Sequence, residues 1–396
     1  MIKLVTERAH LMCPNMFFGI EIIIEKAFDE STFTSALYSL TQMHPTILMN
    51  TVFDDDNNVY LNKSSDDSLS FTVSPSYDRA EVFDEISKSG WDTRSEKLLK
   101  VVVSPLNGSF RVLFVAHHIL GDGRAILMLA QDFTSLYCNP ETNVGAIIPK
   151  MISSIDDLPS GSTLPFMSRV ITNDANKKFA KEAKTISYDE YLVLEKKFAE
   201  QNSVSYRFSS EDVSETVNKC KEAQISVNDY LLARMMKTEN KNTILIASDI
   251  RSKTSCYVPG SLGNFATAFS VTVKNTDCDD IKLARRIHKE VLKITSTPAK
   301  EMLVLSFYLT LNPSLLDVIA ASSLTGYPSK AGKFVGDNMF GYKARSNISI
   351  TNLGKFENPL MSEAYFIPPA SPANKKTRGV LTLNGRMYTA DADYRN

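Results

Sequence analysis

Val115-Ala116-His117-His118-Ile119-Leu120-Gly121-Asp122-Gly123 joins two adjacent histidines to an Asp-Gly pair. Histidine is rare in this chain, with 5 among 396 residues. By composition alone, an adjacent pair is expected only about 0.06 times. The pair lies where an apolar run ends and a helical pattern begins, and α/β proteins often place ligands at such strand ends. These residues are therefore the first candidates for chemistry.

The flanking sequence predicts a hairpin that leads into a helix. Residues 98–103 and 110–115 are rich in β-branched and aromatic side chains. Asn107-Gly108 between them is a strong turn signal, because both residues tolerate a positive φ. After Asp122-Gly123 an apolar stripe continues at helical spacing and should end before Asn139-Pro140. The histidine pair is thus expected at the rim of a sheet.

Patterns elsewhere predict a mixed α/β chain in two halves. Helices are expected after Asp29, over residues 225–233 with Ser226 or Asn228 as the cap, and over residues 281–294. The Ser-, Asp-, Gly- and Pro-rich residues 150–165 are typical of a linker. We therefore expect an N-terminal lobe over residues 1–160 and a C-terminal lobe over residues 161–396. The predicted strands are residues 19–25, 98–103, 110–115, 243–247, 268–273, 348–350, 379–382 and 383–389.

Composition limits the classes of protein to consider. Hydrophobic residues make up 43% and charged residues 22%, as in ordinary globular proteins. The 44 basic and 45 acidic residues leave no basic excess for nucleic-acid binding. No apolar run reaches the roughly 18 residues of a membrane span, and the first residues lack the apolar core of a secretory signal. Because the 5 cysteines have no CxxC spacing, we expect reduced thiols in a cytoplasmic protein and no metal site. We also expect a monomer without a membrane span.

Only one of the two histidines is expected to act as a base. Neighbouring side chains on a strand point to opposite faces, so His117 and His118 cannot reach one substrate in the same way. An imidazole with a pKa of about 6.5 suits proton abstraction at neutral pH. Asp122 could orient His118 or fix the loop, and Gly121 and Gly123 allow a tight turn and a close backbone approach. The alternatives are two structural histidines in a turn, or a metal site, for which no further ligands occur at suitable spacing.

The segment from His117 to Gly123 resembles the HHxxxDG signature of the chloramphenicol acetyltransferase-like superfamily. That group includes nonribosomal peptide condensation domains, plant BAHD acyltransferases, polyketide-associated acyltransferases and alcohol acetyltransferases. Three weaker motifs accompany the signature in family order. They are His44-Pro45-Thr46-Ile47-Leu48-Met49, similar to HPxLR with Met49 in place of arginine; Asp249-Ile250-Arg251 with Gly263-Asn264, similar to the second-lobe arginine and GN elements; and Ile350-Thr351-Asn352-Leu353-Gly354, similar to SNLG. The DFGWG motif of the plant enzymes is absent.

The resemblance implies a fold and a set of roles. The fold would be α/β (α+β), with two chloramphenicol acetyltransferase-like lobes in a V and a solvent channel at the seam. His118 would be the general base, and Asp122 would face away from the substrate and pair with Arg251. The other motif residues would be His117 and Gly123, and the channel would be lined by Asn264, Thr351 and Asn352. The donor would be an acyl thioester on coenzyme A or on a carrier protein's phosphopantetheine, used as a co-substrate, with no tightly bound cofactor.

We therefore predict a thioester-dependent O- or N-acyltransferase of secondary metabolism. Its acceptor would be a small molecule with a hydroxyl, an amine or an aminoacyl group. The choice between coenzyme A and an acyl or peptidyl carrier protein stays open at this point. A basic cluster could bind phosphates or an acidic carrier helix, or form a solvated face; its members are Lys330, Lys333, Lys343 and Arg345.

Two other functions are compatible with the same residues. One is a catalytically inactive condensation-like module that only binds or docks, although such a module need not keep both His118 and the Asp-Gly pair. The other is a glycerolipid acyltransferase in which His117 and Asp122 form an HxxxxD motif. That class normally brings an FPEG-type phosphate-binding segment and a membrane-associating stretch, and this sequence contains neither.

Overall fold

The computed structural model describes residues 1–64, 66–142 and 144–395. Its strands are β1 (Ile2–Leu4), β2 (Phe17–Ile24), β3 (Met49–Phe53), β4 (Val59–Lys63), β5 (Thr72–Val73), β6 (Leu99–Pro105), β7 (Phe110–His117), β8 (Val204–Asp212), β9 (Thr243–Asp249), β10 (Ala266–Thr272), β11 (Asn347–Phe356), β12 (Met361–Ile367), β13 (Asn374–Leu383) and β14 (Arg386–Tyr394). Its helices are α1 (Arg8–Leu11), α2 (Glu30–Met43), α3 (Arg79–Ser89), α4 (Gly123–Cys138), α5 (Phe166–Glu182), α6 (Tyr188–Gln201), α7 (Ser214–Glu222), α8 (Val227–Thr238), α9 (Asp280–Thr295), α10 (Pro298–Glu301), α11 (Leu303–Thr310), α12 (Pro313–Leu324) and α13 (Lys330–Met339).

The strands form three sheets. A five-stranded sheet has the order β12-β2-β7-β6-β5, and a six-stranded sheet has the order β10-β9-β11-β13-β14-β8. A small third sheet has the order β1-β4-β3. Most neighbours run antiparallel, but β11 runs parallel to β9 and β13, and β5 runs parallel to β6. The predicted mixed α/β fold is confirmed.

The predicted hairpin before the histidine pair is formed by β6 and β7, which pair antiparallel. Gly108 in its turn has a φ of 77°, a conformation that glycine adopts without a steric penalty. The prediction of one strand over residues 383–389 is wrong, because β13 ends at Leu383 and β14 begins at Arg386. Asn384 and Gly385 between them have φ values of 50° and 80°. Positive φ at both central residues produces a tight hairpin turn, so a second Asn-Gly pair reverses the chain here.

Side-chain caps begin the helices near the expected positions. Asp29 accepts a hydrogen bond from the Thr32 amide at the start of α2, and Ser226, one of the two expected caps, accepts one from the Asp229 amide at the start of α8. These side chains pair amide groups that the first helical turn leaves without partners. α4 begins at Gly123 and ends at Cys138, immediately before Asn139-Pro140. Its buried apolar stripe packs against α2 and β2.

The two halves of the chain share a sheet. β12 comes from the second half, yet it pairs antiparallel with β2 at the edge of the five-stranded sheet. α5 and α6 also follow residue 160 and pack against α13, α12 and α3. Residues 1–160 therefore do not build the first sheet alone, because backbone pairing across the halves supplies its edge strand. The predicted linker contains a short 3₁₀ turn, Ile155–Asp157, and is otherwise irregular.

Two further findings concern thiols and membrane-length helices. All five cysteines are free thiols. Within the described ranges, no single helix combines the length and apolar character needed to cross a membrane. α11 and α12 would pass that test together, but a bend of 111° separates them.

Candidate active site

His118 is the first residue after β7, and its imidazole lies in an aromatic enclosure. Its amide donates to the Met16 carbonyl at 2.8 Å, which ties the strand end to the segment before β2. The ring lies 5.0 Å from the Phe18 ring and stacks on the His10 ring, with centroids 4.3 Å apart and planes 21° apart. Its Nδ1 is buried and has no hydrogen-bond partner among the described residues. Nε2 is therefore the nitrogen that a substrate could meet.

Burial decides the protonation state of His118. Desolvation lowers the pKa of this imidazole below 6.5, and the neighbouring backbone and the Asp122 carboxylate oppose that shift only in part. Near pH 7 the ring is therefore neutral and able to accept a proton. This is the state that a general base requires before the reaction.

His117 faces different surroundings from His118. Its ring meets Trp91 edge-on at 5.7 Å, and its Nδ1 accepts a hydrogen bond from the Ile119 amide at 3.4 Å. Burial, followed by the effect of His118, lowers its pKa to about 3. The structure does not bring His117 and Asp122 together as an HxxxxD pair, since every partner of the Asp122 carboxylate lies elsewhere.

Asp122 uses both carboxylate oxygens to hold the turn and the second half of the chain together. It caps α4 by accepting hydrogen bonds from the Arg124 and Ala125 amides, both at 3.0 Å. It also accepts from the Phe265 amide at 2.8 Å and from the Arg251 guanidinium at 2.8 and 3.0 Å. The pairing of Asp122 with Arg251 is therefore present, and Asp122 makes no hydrogen bond to the His118 ring.

Arg251 is buried, with 8% of its surface exposed. Its guanidinium also donates to Asp249 at 3.0 Å and to the Gly263 carbonyl at 3.4 Å. This burial shows that Arg251 is not a solvated surface residue. The Asp122–Arg251 pair is a charged connection across 129 residues of sequence. Removing Arg251 would leave the buried Asp122 carboxylate without a cation, and removing Asp122 would leave Arg251 with Asp249 alone.

The two glycines of the motif are required by packing between segments. A methyl group on Gly123 would lie 2.8 Å from Leu353 and 2.9 Å from Phe366. A methyl group on Gly121 would lie 2.7 Å from the Ala125 side chain and 3.1 Å from the Gly263 amide nitrogen. Both glycines therefore serve the close approach expected for them, and neither has a positive φ.

A cavity of about 400 Å³ opens beside His118. Its walls come from α1, from the helices between Leu303 and Met339, and from β9, β10, β11 and β13 of the six-stranded sheet. His10 and His118 belong to the lining, whereas none of the lining residues is Asp, Glu, Lys or Arg. The site thus offers an uncharged enclosure with an imidazole in its wall.

A second cavity of about 220 Å³ lies beside the Asp122–Arg251 pair. Thr351 lines both cavities, and Asn352 lines the second one. The Asn352 side chain donates to Asn228 at 3.2 Å and accepts from the Gly354 amide at 2.9 Å. That a solvent channel runs along the seam between the two lobes stays a prediction.

Asn264 lines neither cavity, and the placement at a solvent channel that the resemblance implies for it stays a prediction. It is buried, and its Oδ1 has no hydrogen-bond partner among the described residues. The backbone on either side of it is held by the Asp122–Arg251 pair, because the Gly263 carbonyl accepts from Arg251 and the Phe265 amide donates to Asp122. This anchoring places the segment at the contact between the halves of the chain.

His10 belongs to the site but was not predicted from the sequence. It lies in the four-residue helix α1 and stacks on His118. Burial, followed by the neighbouring His118 and His117, holds the pKa of His10 well below its ordinary value. The one available signal was the rarity of histidine, because a four-residue helix carries no usable periodicity. Among the described residues, no group of three or more His, Cys, Asp or Glu side chains could hold a metal ion.

The predicted basic cluster is engaged in internal contacts at two of its four positions. Lys333 pairs with Asp337 at 2.7 Å. Arg345 donates to Asn202 at 2.7 Å and to the Pro372 carbonyl at 3.1 Å, and it lies over the Tyr394 ring. These contacts favour the interpretation of a structural and solvated face over that of a phosphate site.

Comparison with known proteins establishes the fold. No protein-family model and no curated protein matches the sequence. Among solved structures, TRI3 trichothecene 15-O-acetyltransferase from Fusarium sporotrichioides has a TM-score of 0.63 at 10% identity, covering 100% of this chain and 91% of its own. This chain has the same fold as that acetyltransferase.

Two further solved structures share this fold. Polyketide synthase associated protein 5 from Mycobacterium tuberculosis has a TM-score of 0.62 at 13% identity, covering 100% of this chain and 92% of its own. The first condensation domain of the CDA synthetase has a TM-score of 0.58 at 8% identity, covering 99% and 90%. At these identities the similarity establishes the fold, and the activity has to be argued from the site.

Proposed function

We propose that this protein is an acyltransferase that moves an acyl group from a thioester to a hydroxyl or amine acceptor, with His118 as the general base. The observation that carries this proposal is the placement of His118 in the wall of an uncharged cavity, with Nδ1 enclosed and no carboxylate bonded to the ring. The fold supports it, since the superfamily contains an acetyltransferase and condensation domains.

The proposed reaction needs one proton transfer in each direction. His118 Nε2 takes the proton of the acceptor hydroxyl or amine as the acceptor atom attacks the thioester carbonyl. The carbon–sulfur bond then breaks, and the imidazolium returns the proton to the leaving thiolate. Burial favours the neutral imidazole before the reaction, so the base is ready at neutral pH. No covalent acyl-enzyme and no tightly bound cofactor is needed for these steps.

The thioester would be carried by coenzyme A or by the phosphopantetheine of an acyl or peptidyl carrier protein. The neighbouring structures include a trichothecene acetyltransferase, a polyketide synthase associated protein and a condensation domain. These names support a role in secondary metabolism and make a carrier protein a reasonable partner to test. The small-molecule acceptor would enter the cavity beside His118.

The test is a product assay with defined donors. The protein is incubated with acetyl-coenzyme A, with longer acyl-coenzyme A compounds or with an acyl-loaded carrier protein, together with alcohols and amines. Mass spectrometry then detects the ester or amide, and a thiol assay follows release of the donor thiol. We expect product from at least one pair, and we expect its rate of formation to fall by about 10²–10⁴-fold in His118→Ala.

His288→Ala is the matched control for this assay. His288 is half exposed on α9, binds Asp229 through Nδ1 and lines neither cavity. Equal rates for His118→Ala and wild type would overturn the role of His118 as the base. Binding of thioester and acceptor without any transfer would instead identify the protein as a condensation-like binding module.

A further inference from the structure

We propose that the cavity beside His118 binds an uncharged and mainly apolar acceptor, and that Ser349, Asn374 and Thr377 bind a second hydroxyl or carbonyl group of that acceptor. The inference rests on the proposed function for the identity of the reacting end, which would face His118. It adds the chemical class of the ligand and the residues that would recognise its far group.

One side of the cavity is an apolar wall from the helices after residue 303. Its large side chains are Tyr308, Leu316, Ile319, Met339 and Phe340. No carboxylate, ammonium or guanidinium group lines the cavity to neutralise an ionic ligand. Burying an unpaired charge is far more costly than burying an apolar surface. Neutral ligands are therefore favoured over amino acids and carboxylates.

The opposite wall carries a cluster of polar side chains on adjacent strands. Ser349 on β11 lies opposite Thr377 on β13, and the Ser349 hydroxyl donates to Thr377 Oγ1 at 3.0 Å. Asn374 Nδ2 donates to Ser349 Oγ at 2.9 Å and to Thr377 Oγ1 at 3.3 Å. All three residues line the cavity, and their exposed fractions are only 4–6%. They form one connected network within the wall.

The network leaves one acceptor and one donor without partners. Asn374 Oδ1 is buried and has no hydrogen-bond partner among the described residues. Thr377 Oγ1 accepts two hydrogen bonds, and its own hydroxyl hydrogen has no acceptor among the described groups. If the Asn374 amide were turned over, its nitrogen would be the unmatched atom instead, so one amide atom is unpaired in either orientation.

Buried polar atoms normally have partners, and those that lack one require an explanation. A ligand hydroxyl or carbonyl can accept from Thr377, and a ligand hydroxyl can also donate to Asn374 once a rotation of the amide turns its enclosed Oδ1 toward the cavity. An apolar molecule with one such group beyond the reacting one would therefore satisfy both walls of the cavity.

The test measures binding with three compounds that share the p-menthane carbon skeleton. They are menthol with one hydroxyl, terpin with two hydroxyls, and perillate with a carboxylate. Isothermal titration without any thioester gives the dissociation constants for the full-length protein. We expect terpin to bind about two- to tenfold more tightly than menthol, the gain from one hydrogen bond in place of solvent, and perillate to bind most weakly.

Thr377→Val removes the hydroxyl while keeping the branched shape. It should abolish the preference for terpin and leave menthol binding unchanged, whereas Thr377→Ser should retain the preference. Thr389→Val is the matched control, because Thr389 belongs to the same sheet, shares a hydroxyl hydrogen bond with Ser209 and lies outside the cavity. Melting curves establish that each variant is folded.

The inference is overturned if perillate binds as tightly as terpin, if Thr377→Val keeps the terpin preference, or if neither alcohol binds. Terpin binding without acyl transfer to any acceptor would count against the proposed function and leave this inference standing. Acyl transfer to a charged amino acid that depends on His118 would support the proposed function and overturn this inference.

Discussion

Asp122 and His118 lie at the two ends of one turn, and they differ in how their polar atoms are paired. The Asp122 carboxylate accepts five hydrogen bonds from four residues, including the buried Arg251. The His118 ring has a buried nitrogen without a partner and stacks on a second neutral imidazole. A carboxylate with every lone pair occupied stabilises the fold, whereas His118 has its unpaired Nδ1 enclosed and keeps Nε2 available to a ligand. The comparison supports an architectural role for Asp122 and the proposed catalytic role of His118.

The largest expected effect is on turnover. His118→Ala should lower kcat by about 10²–10⁴-fold, the usual contribution of a general base, with little change in melting temperature. His117→Ala should show the opposite pattern, because it removes a buried ring packed on Trp91 and leaves His118 in place. Steady-state kinetics and melting curves of both variants measure the contrast. A strong loss of stability in His118→Ala alone would contradict it.

The next effect is on stability at the other end of the turn. Asp122→Ala and Arg251→Ala should each cost about 3–5 kcal/mol, because the first leaves buried Arg251 with only the exposed Asp249 and the second leaves the buried Asp122 carboxylate without a cation. The double variant should be less destabilised than the sum of the two single variants, since both remove the same interaction. A double-mutant cycle of denaturant unfolding curves measures this coupling. If the losses of unfolding free energy are additive, the two side chains do not stabilise each other.

A third buried group extends the comparison to α1. Glu7 directly precedes the helix that carries His10. Both carboxyl oxygens of Glu7 are buried without partners among the described residues. Burial raises the pKa of Glu7 from 4.5 to about 7. Because the folded state holds this proton more tightly than the unfolded state, the contribution of Glu7 to stability is complete below pH 4.5 and is lost as the pH rises through about 7.

Glu7→Gln should therefore stabilise the protein at pH 8 by roughly 3 kcal/mol relative to wild type, because each tenfold difference in proton affinity between the folded and unfolded states corresponds to about 1.4 kcal/mol. The advantage should vanish toward pH 4, where the carboxyl is protonated in both states. Unfolding curves at several pH values test this. A constant difference between the two proteins at all pH values would show that Glu7 does not titrate in the folded protein.

The smallest effect concerns the acid limb of the rate profile. Burial lowers the pKa of His118, so kcat/KM should begin to fall only at a pH below 6.5. The Asp122 carboxylate raises the pKa of His118 against this trend, so Asp122→Asn should move the limb to a still lower pH. An acid limb centred above pH 6.5 would contradict the lowered pKa of His118. A limb that Asp122→Asn leaves in place would show that the Asp122 charge does not act on the His118 ring.

Much of the fold around the site follows from local sequence. The apolar runs and Asn107-Gly108 predicted the hairpin, and the apolar stripe after Asp122 predicted α4 with its end before Pro140. Such features depend on backbone preferences and side-chain periodicity over a few residues, which a single sequence displays directly. The adjacent histidines pointed to the site in the same local way. Because neighbouring side chains of a strand point to opposite faces, only one of the two could be the base. Their resemblance to a known motif supplied the pairing of Asp122 with Arg251.

Which distant residues meet could be learned only from the folded chain. No local pattern could place His10 on the His118 ring or assemble Ser349, Asn374 and Thr377 into one network. The same holds for β12, which joins the sheet of the first half although it lies in the second. These placements depend on strand pairing and packing between segments up to hundreds of residues apart, and that information is spread over the whole chain. Local patterns thus specify the elements and the candidate base, whereas long-range packing specifies the surroundings of that base.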